Sequence, residues 1–357
     1  VTLPFLLPTL ILEFNLSYFQ AGLLTLATSL FSGILQPIVG YAADRYAKLK
    51  LIMQLGFVAF SAGLVLAGLS NSFSLLWFAF FIFGLGQATF HAQSTNLITR
   101  AFPDAKGRAM GIHGIGGSIG NFSAPILATL LIAPLGWRNA AFLLAIPALL
   151  TLVLIRWWLA EPAKSEGEAK APAFSISPTL LVLALNFGLL HMVYIGFLAF
   201  LPTYLVENGF LLEQAGIISA LMLFVGFFAQ PAGGLIFDRV GGRLLFMGSS
   251  IFAGAALLLL TIGSGLPIIP IIMLFGAAVT ATFPVTLAMG SAVAQGQHVG
   301  TSVGLVFGLS GVLSAFAPSL TGYVAYSFGL QQSFYLLVLL AALSFSVSFL
   351  LPAAKSD

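Results

Sequence analysis

Histidine is the side chain in this sequence whose type and setting could move a proton. His91, His113 and His191 fall within long apolar runs, whereas His298 falls in a short polar turn. No Asp, Glu, Lys or Arg lies well inside any of those runs, so an imidazole, which titrates near physiological pH, is left to do that work. His191 sits near the middle of its run, with Tyr194 one helical turn away and Asn186 nearby. Carrying a proton there needs a wet cavity or a partner, and Tyr194 could supply a hydrogen bond. His91 joins Gln87 and Ser94/Thr95 at i, i+4 and i+7/8 in one polar stripe on an apolar helix. Such stripes usually face a bundle interior or a wet cavity. His113 shares a face with Gly117 and Gly120, which is needed for packing. Enzyme chemistry finds no footing. No carboxylate pair, metal-ligand cluster or nucleophilic triad is visible, and the glycine-rich run at 111–120 follows no strand. Neither metal nor cofactor is expected.

The elements that must position these residues follow from composition. The chain is 59% hydrophobic and only 6% charged, against about 25% charged in soluble domains. The lipid bilayer must therefore be its solvent. A net charge of +3 is too small to suggest nucleic acid, and the absence of cysteine excludes disulfides and thiolate metal sites. Runs of roughly 20 apolar residues can each cross about 30 Å of hydrocarbon as helix. They predict spans near 1–12, 18–42, 51–69, 74–99, 108–133 and 138–160, then 177–206, 213–236, 243–264, 267–294, 299–325 and 332–352. The fold class is all-α: a six-helix bundle over 1–160, a polar linker over 161–176 and a second six-helix bundle over 177–357. Twelve of the thirteen Lys and Arg residues fall on one side, Arg138 alone on the other. The positive-inside rule then makes the central loop and C-terminus cytosolic.

The two halves repeat. At an offset of 194, Gly40-Tyr-Ala-Ala-Asp44-Arg45 overlies Gly234-Leu-Ile-Phe-Asp238-Arg239, Glu13 overlies Glu207, and Gln20-Ala21-Gly22 overlies Gln214-Ala215-Gly216. At 193, Ala88-Thr89-Phe90 overlies Ala281-Thr282-Phe283, and Ala124-Pro125 overlies Ala317-Pro318. A self-match this long reads as a duplicated architecture. Val1 pairs with Ile195, 18 residues past Ser177 where span 7 begins, so span 1 is expected to lack its start and residue 1 to lie inside the membrane slab. Asp44 is expected near the N-terminus of span 11, at Gly300–Ser302, and Asp238 near that of span 5, at Gly107–Arg108. A carboxylate at a helix N-terminus contributes roughly 0.3–1 kcal/mol.

The pattern G-x-x-x-D-R-x-G-x-R/K in the repeated hairpins resembles the signature of the major facilitator superfamily, with Ala47 replacing a glycine that the second copy keeps as Gly241. The run from Gly111 through Gly120 to Ala124-Pro125 resembles the span 5 motif of that superfamily's proton-coupled antiporters, with Ala124 where glycine is usual. Phe83-Gly-Leu-Gly-Gln87 through Phe90-His91 resembles the fosmidomycin-resistance branch, with Ala92 replacing a proline. The resemblance implies a monomeric secondary transporter, not an enzyme, that exchanges protons for a small drug-like or anionic compound by alternating access. A symporter importing a small organic anion or sugar is the alternative. Asp44, Arg45, Gly40, Asp238, Arg239 and Gly234 would gate it, and Gly111, Gly120 and Pro125 would form the span 5 motif.

Overall fold

The computed structural model describes residues 3–46, 49–90, 94, 97, 106–159, 177–263, 267–293 and 299–352. All regular structure among them is helical. The elements are α1 (Leu3–Phe14), α2 (Tyr18–Tyr46), α3 (Leu49–Gly68), α4 (Phe73–Ala88), α5 (Lys106–Trp158), α6 (Pro178–Glu207), α7 (Leu212–Ile262), α8 (Ile268–Thr280), α9 (Thr282–Val293), α10 (Val299–Ala315), α11 (Ala317–Phe328) and α12 (Leu330–Ser348). Every predicted span is represented. Spans 5 and 6 run together in α5 and spans 8 and 9 in α7, interrupted only where Gly136 (φ 75°, ψ 159°) and Gly241 (φ 79°, ψ 168°) leave helical geometry. The predicted linker, 161–176, lies outside the described residues.

Two predicted spans are broken where continuity was expected. Span 10 divides at Ala281, because Pro284 has no N–H to give the Thr280 carbonyl. Span 11 divides at Phe316, where Pro318 lies within the first turn of α11. Span 7 is continuous and well delimited. The Ser177 hydroxyl caps it by accepting from the Thr179 N–H at 3.2 Å, and Pro178 supplies the preset first helical residue. It ends at Asn208-Gly209, with Gly209 at φ 88° and the Phe210 N–H returning to the Leu205 carbonyl at 3.1 Å.

The duplication holds down to single atoms. The Ser17 N–H donates to Gln20 Oε1 at 2.9 Å, and the Leu211 N–H, 194 residues on, donates to Gln214 Oε1 at 2.9 Å. Asn15 and Gly209 form a second such pair, with φ 49° and 88°, and Gly136 and Gly329 a third, with φ 75° and 95°. Gly84 lies against the Thr28 carbonyl and Gly276 against that of Met222, so that an added Cβ would fall 2.5 and 2.6 Å from the oxygen.

Contacts divide the chain into two compact units: Val1–Leu16 with Leu23–Ala169, and Ser17–Gly22 with Lys170–Asp357. Within the second, Tyr18 donates its hydroxyl proton to Glu207, and Gly322 lies against the Tyr18 carbonyl. Within the first, Arg138 forms an ion pair with Glu13 and donates to the Ser70 carbonyl at 2.9 Å. Trp137 donates its indole N–H to the same Glu13 carboxylate. Gly136 introduces these two residues at a φ, ψ that only glycine visits freely, and a Cβ there would meet nothing within 4 Å. Gly136→Ala therefore tests backbone strain without a clash. It is expected to cost about 1–3 kcal/mol, read as a lowered thermal midpoint in detergent, whereas Gly248→Ala, in helical geometry and open space, should leave the midpoint unchanged. Equal midpoints for the two would refute the strain.

Candidate transport site

Span 7 presents an aromatic ladder. His191 stacks on Phe187 (centroids 5.6 Å apart, rings within 7°) and on Tyr194 (6.0 Å, 13°). Phe187 also meets Phe307 edge-on at 5.2 Å and Phe283 at 6.4 Å, and Phe283 lies exposed. These five rings form one cluster in the second unit, with Phe187 buried at its centre. His191 and Tyr194 are each half-buried, yet the Nδ1 atom of His191 is buried without a hydrogen-bond partner. The expected Tyr194 hydrogen bond is replaced by stacking, because one helical turn on the same face sets the rings parallel, not end to end. The ladder was not foreseen, although Phe187 at i−4 and Tyr194 at i+3 from His191 carry its signal.

Asn186 lies elsewhere. It is fully buried, donates to Ser348 Oγ at 2.8 Å and accepts from Ser344 Oγ at 2.7 Å. Ser250 extends the chain, its single hydroxyl proton shared between Ser344 Oγ at 3.0 Å and the Phe246 carbonyl at 2.8 Å. Both ends of the amide are thus engaged inside the unit by span 12, and span 9 joins through Ser344. The sequence placed it near the pathway because it lies only five residues from His191, but it points to a different face.

In the first unit Gln87 is half-buried and Ser94 buried, while His91, Thr95 and Asn96 lie outside the described residues. The side chains of Asp44, Arg45 and His113 and the surroundings of Gly40 and Gly111 also lie outside them, as does the expected contact of Asp44 with 300–302. Asp238 and Arg239 are exposed at the hairpin between spans 8 and 9, and Gly234 is half-buried with open space at its Cβ position.

In span 5, a Cβ on Gly116, Gly117 or Gly120 would meet nothing within 4 Å. Gly304, Gly308 and Gly311 in span 11 are open in the same way. The close contacts fall in other spans: Gly56, Gly63 and Gly86 seat span 3 on span 4. Pro125 lies within α5, its carbonyl accepting from Thr129 Oγ1 at 2.9 Å.

An all-helical chain of twelve apolar spans with an atom-level internal repeat has the build of a membrane transporter. The sequence profile of the Major Facilitator Superfamily matches residues 1–269 and again 183–357. The chain belongs to that superfamily. It is 29% identical over 331 residues to the fosmidomycin resistance protein of Escherichia coli (strain K12), covering 89% of this chain and 80% of the other. It is 30% identical over 373 residues to a probable nitrate/nitrite antiporter of Thermus thermophilus, covering 93% and 83%. Its fold is similar to that of a bacterial homolog of the human lysosomal transporter Spinster, solved in an inward-facing and occupied conformation. The TM-score is 0.86 at 19% identity, with 98% of this chain and 92% of that one covered.

Proposed function

We propose that the protein is a proton-coupled antiporter that expels a small drug-like or anionic compound from the cytosol by alternating access. It would work as a monomer in the prokaryotic inner membrane, with its central loop and C-terminus cytosolic. The observation that carries this reading is His191, a largely buried titratable ring in mid-span with an unpartnered nitrogen. The similarity to a fosmidomycin resistance protein over 89% of the chain supports the direction of transport. His191, Tyr194, Gln87, His91 and His113 would line the substrate and proton pathway. Asp44, Arg45 and Gly40, with Asp238, Arg239 and Gly234, would gate it from the cytosolic side.

Vesicles of inside-out polarity test the coupling, with fosmidomycin as the probe. An antiporter moves the compound into the lumen as protons leave, so an acid-interior gradient should drive accumulation and addition of compound should raise lumenal pH. Accumulation driven only by an alkaline interior would reverse the reading to symport. No accumulation with either gradient would exclude fosmidomycin as the cargo.

A further inference from the structure

Spans 8, 9 and 10 of the second unit enclose an apolar slot of about 360 Å³. Small residues create it. Gly233 brings span 8 against the Ala281 carbonyl of span 10, where an added Cβ would fall 2.3 Å from the oxygen. Gly248 of span 9 faces open space instead, so that helix stands off and leaves the gap. All the lining residues belong to the second unit, and Ser249 is the one polar side chain among them. The slot opens outward, since Ile236, Leu244 and Phe252 on its wall are 48%, 56% and 55% exposed. A slot open to a bilayer meets acyl tails as apolar as its own walls.

Its hairpin end carries charge. Val240 and Leu244 line the slot, and each is preceded by an arginine, Arg239 and Arg243. Gly241, at φ 79°, turns the chain between them, so both arginines belong to the hairpin that closes this end of the slot. Arg239 is exposed, Arg243 lies 5.3 Å from the Phe349 ring centroid, and neither is in an ion pair with a described residue. With Asp238 the hairpin keeps a net positive charge. An apolar slot ending at paired cations between transmembrane helices has the chemistry of an anionic lipid site.

We propose that this slot binds one anionic phospholipid, an acyl chain between spans 8, 9 and 10 and the phosphate at Arg239 and Arg243. The site is separate from the aromatic ladder and independent of the direction of transport. The test is native mass spectrometry of the full chain released from nanodiscs containing dioleoyl phosphatidylglycerol and dioleoyl phosphatidylcholine in equal amounts. Wild type should retain one phosphatidylglycerol in preference to phosphatidylcholine. The double variant Arg239→Gln, Arg243→Gln should lose that preference, about fivefold per arginine and about 30-fold together. Gly248→Leu fills the slot from a position with open space, so it should keep the wild-type thermal midpoint and retain neither lipid. Added glycerol 1-phosphate, the headgroup without chains, should not displace the lipid. Equal retention of the two lipids by wild type, unchanged retention by Gly248→Leu, or displacement by glycerol 1-phosphate would each overturn the proposal.

Discussion

His191→Gln is expected to abolish proton-driven accumulation while leaving the protein folded. One pH unit acting through one proton is worth about 1.4 kcal/mol, so a coupled wild type should concentrate substrate about tenfold per unit of gradient. A variant unable to exchange the proton should equilibrate its substrate to a ratio of about one. The fold should tolerate the change because Nδ1 makes no hydrogen bond that could be lost. What Gln gives up is stacking on Phe187 and Tyr194, worth about 0.5–1.5 kcal/mol per aromatic pair. His191→Phe separates the two effects. It keeps the ring and removes an unpartnered nitrogen, so it should match or exceed wild-type stability and be equally uncoupled. If both variants concentrate substrate as wild type does, the proton travels elsewhere, and His91→Gln becomes the next measurement.

Gly86→Val should prevent recovery of folded protein. A Cβ at Gly86 would stand 2.4 Å from the Phe60 nitrogen and 2.5 Å from the Gly56 carbonyl oxygen. Both are backbone atoms, so no rotamer change can make room. Gly63 repeats the contact from the other side, with its Cβ position 2.6 Å from the Phe83 nitrogen. Spans 3 and 4 thus touch main chain to main chain, which is how helices gain contact in lipid, where leucine packs no better against protein than against acyl tails. Overpacking ordinarily costs about 1–3 kcal/mol, and backbone on the facing side puts this case at or above that range. Size-exclusion profiles and thermal midpoints decide it. A monodisperse Gly86→Val with the wild-type midpoint would show that the helices part freely.

The architecture was readable because its signals are one-dimensional. Apolar length marks a span, and an offset of 193 or 194 pairs Gly136 with Gly329 and Gln20 with Gln214. Faces were harder. When nearly every position in a helix is apolar, periodicity cannot separate the side that meets protein from the side that meets lipid. That is why the sequence does not separate Asn186 from His191, five residues apart, although the two point to different faces. The break at Ala281 had a signal in Pro284 that the apolar count passed over.

Span 12 is keyed in rotation. Most of its surface is apolar and would accept many angular settings against its neighbours, but Ser344 and Ser348 must both meet the Asn186 amide. Turning Leu330–Ser348 by one residue swings these hydroxyls about 100° away. That leaves a buried amide unpaired, at about 1–3 kcal/mol for each orphaned group. Ser250 adds span 9 to the same lock. Spans 7 and 12 therefore share one azimuth, with span 9 tied to span 12 through Ser250 and Ser344, and any motion that twists span 7 about its own axis must carry span 12 with it or break the amide's hydrogen bonds.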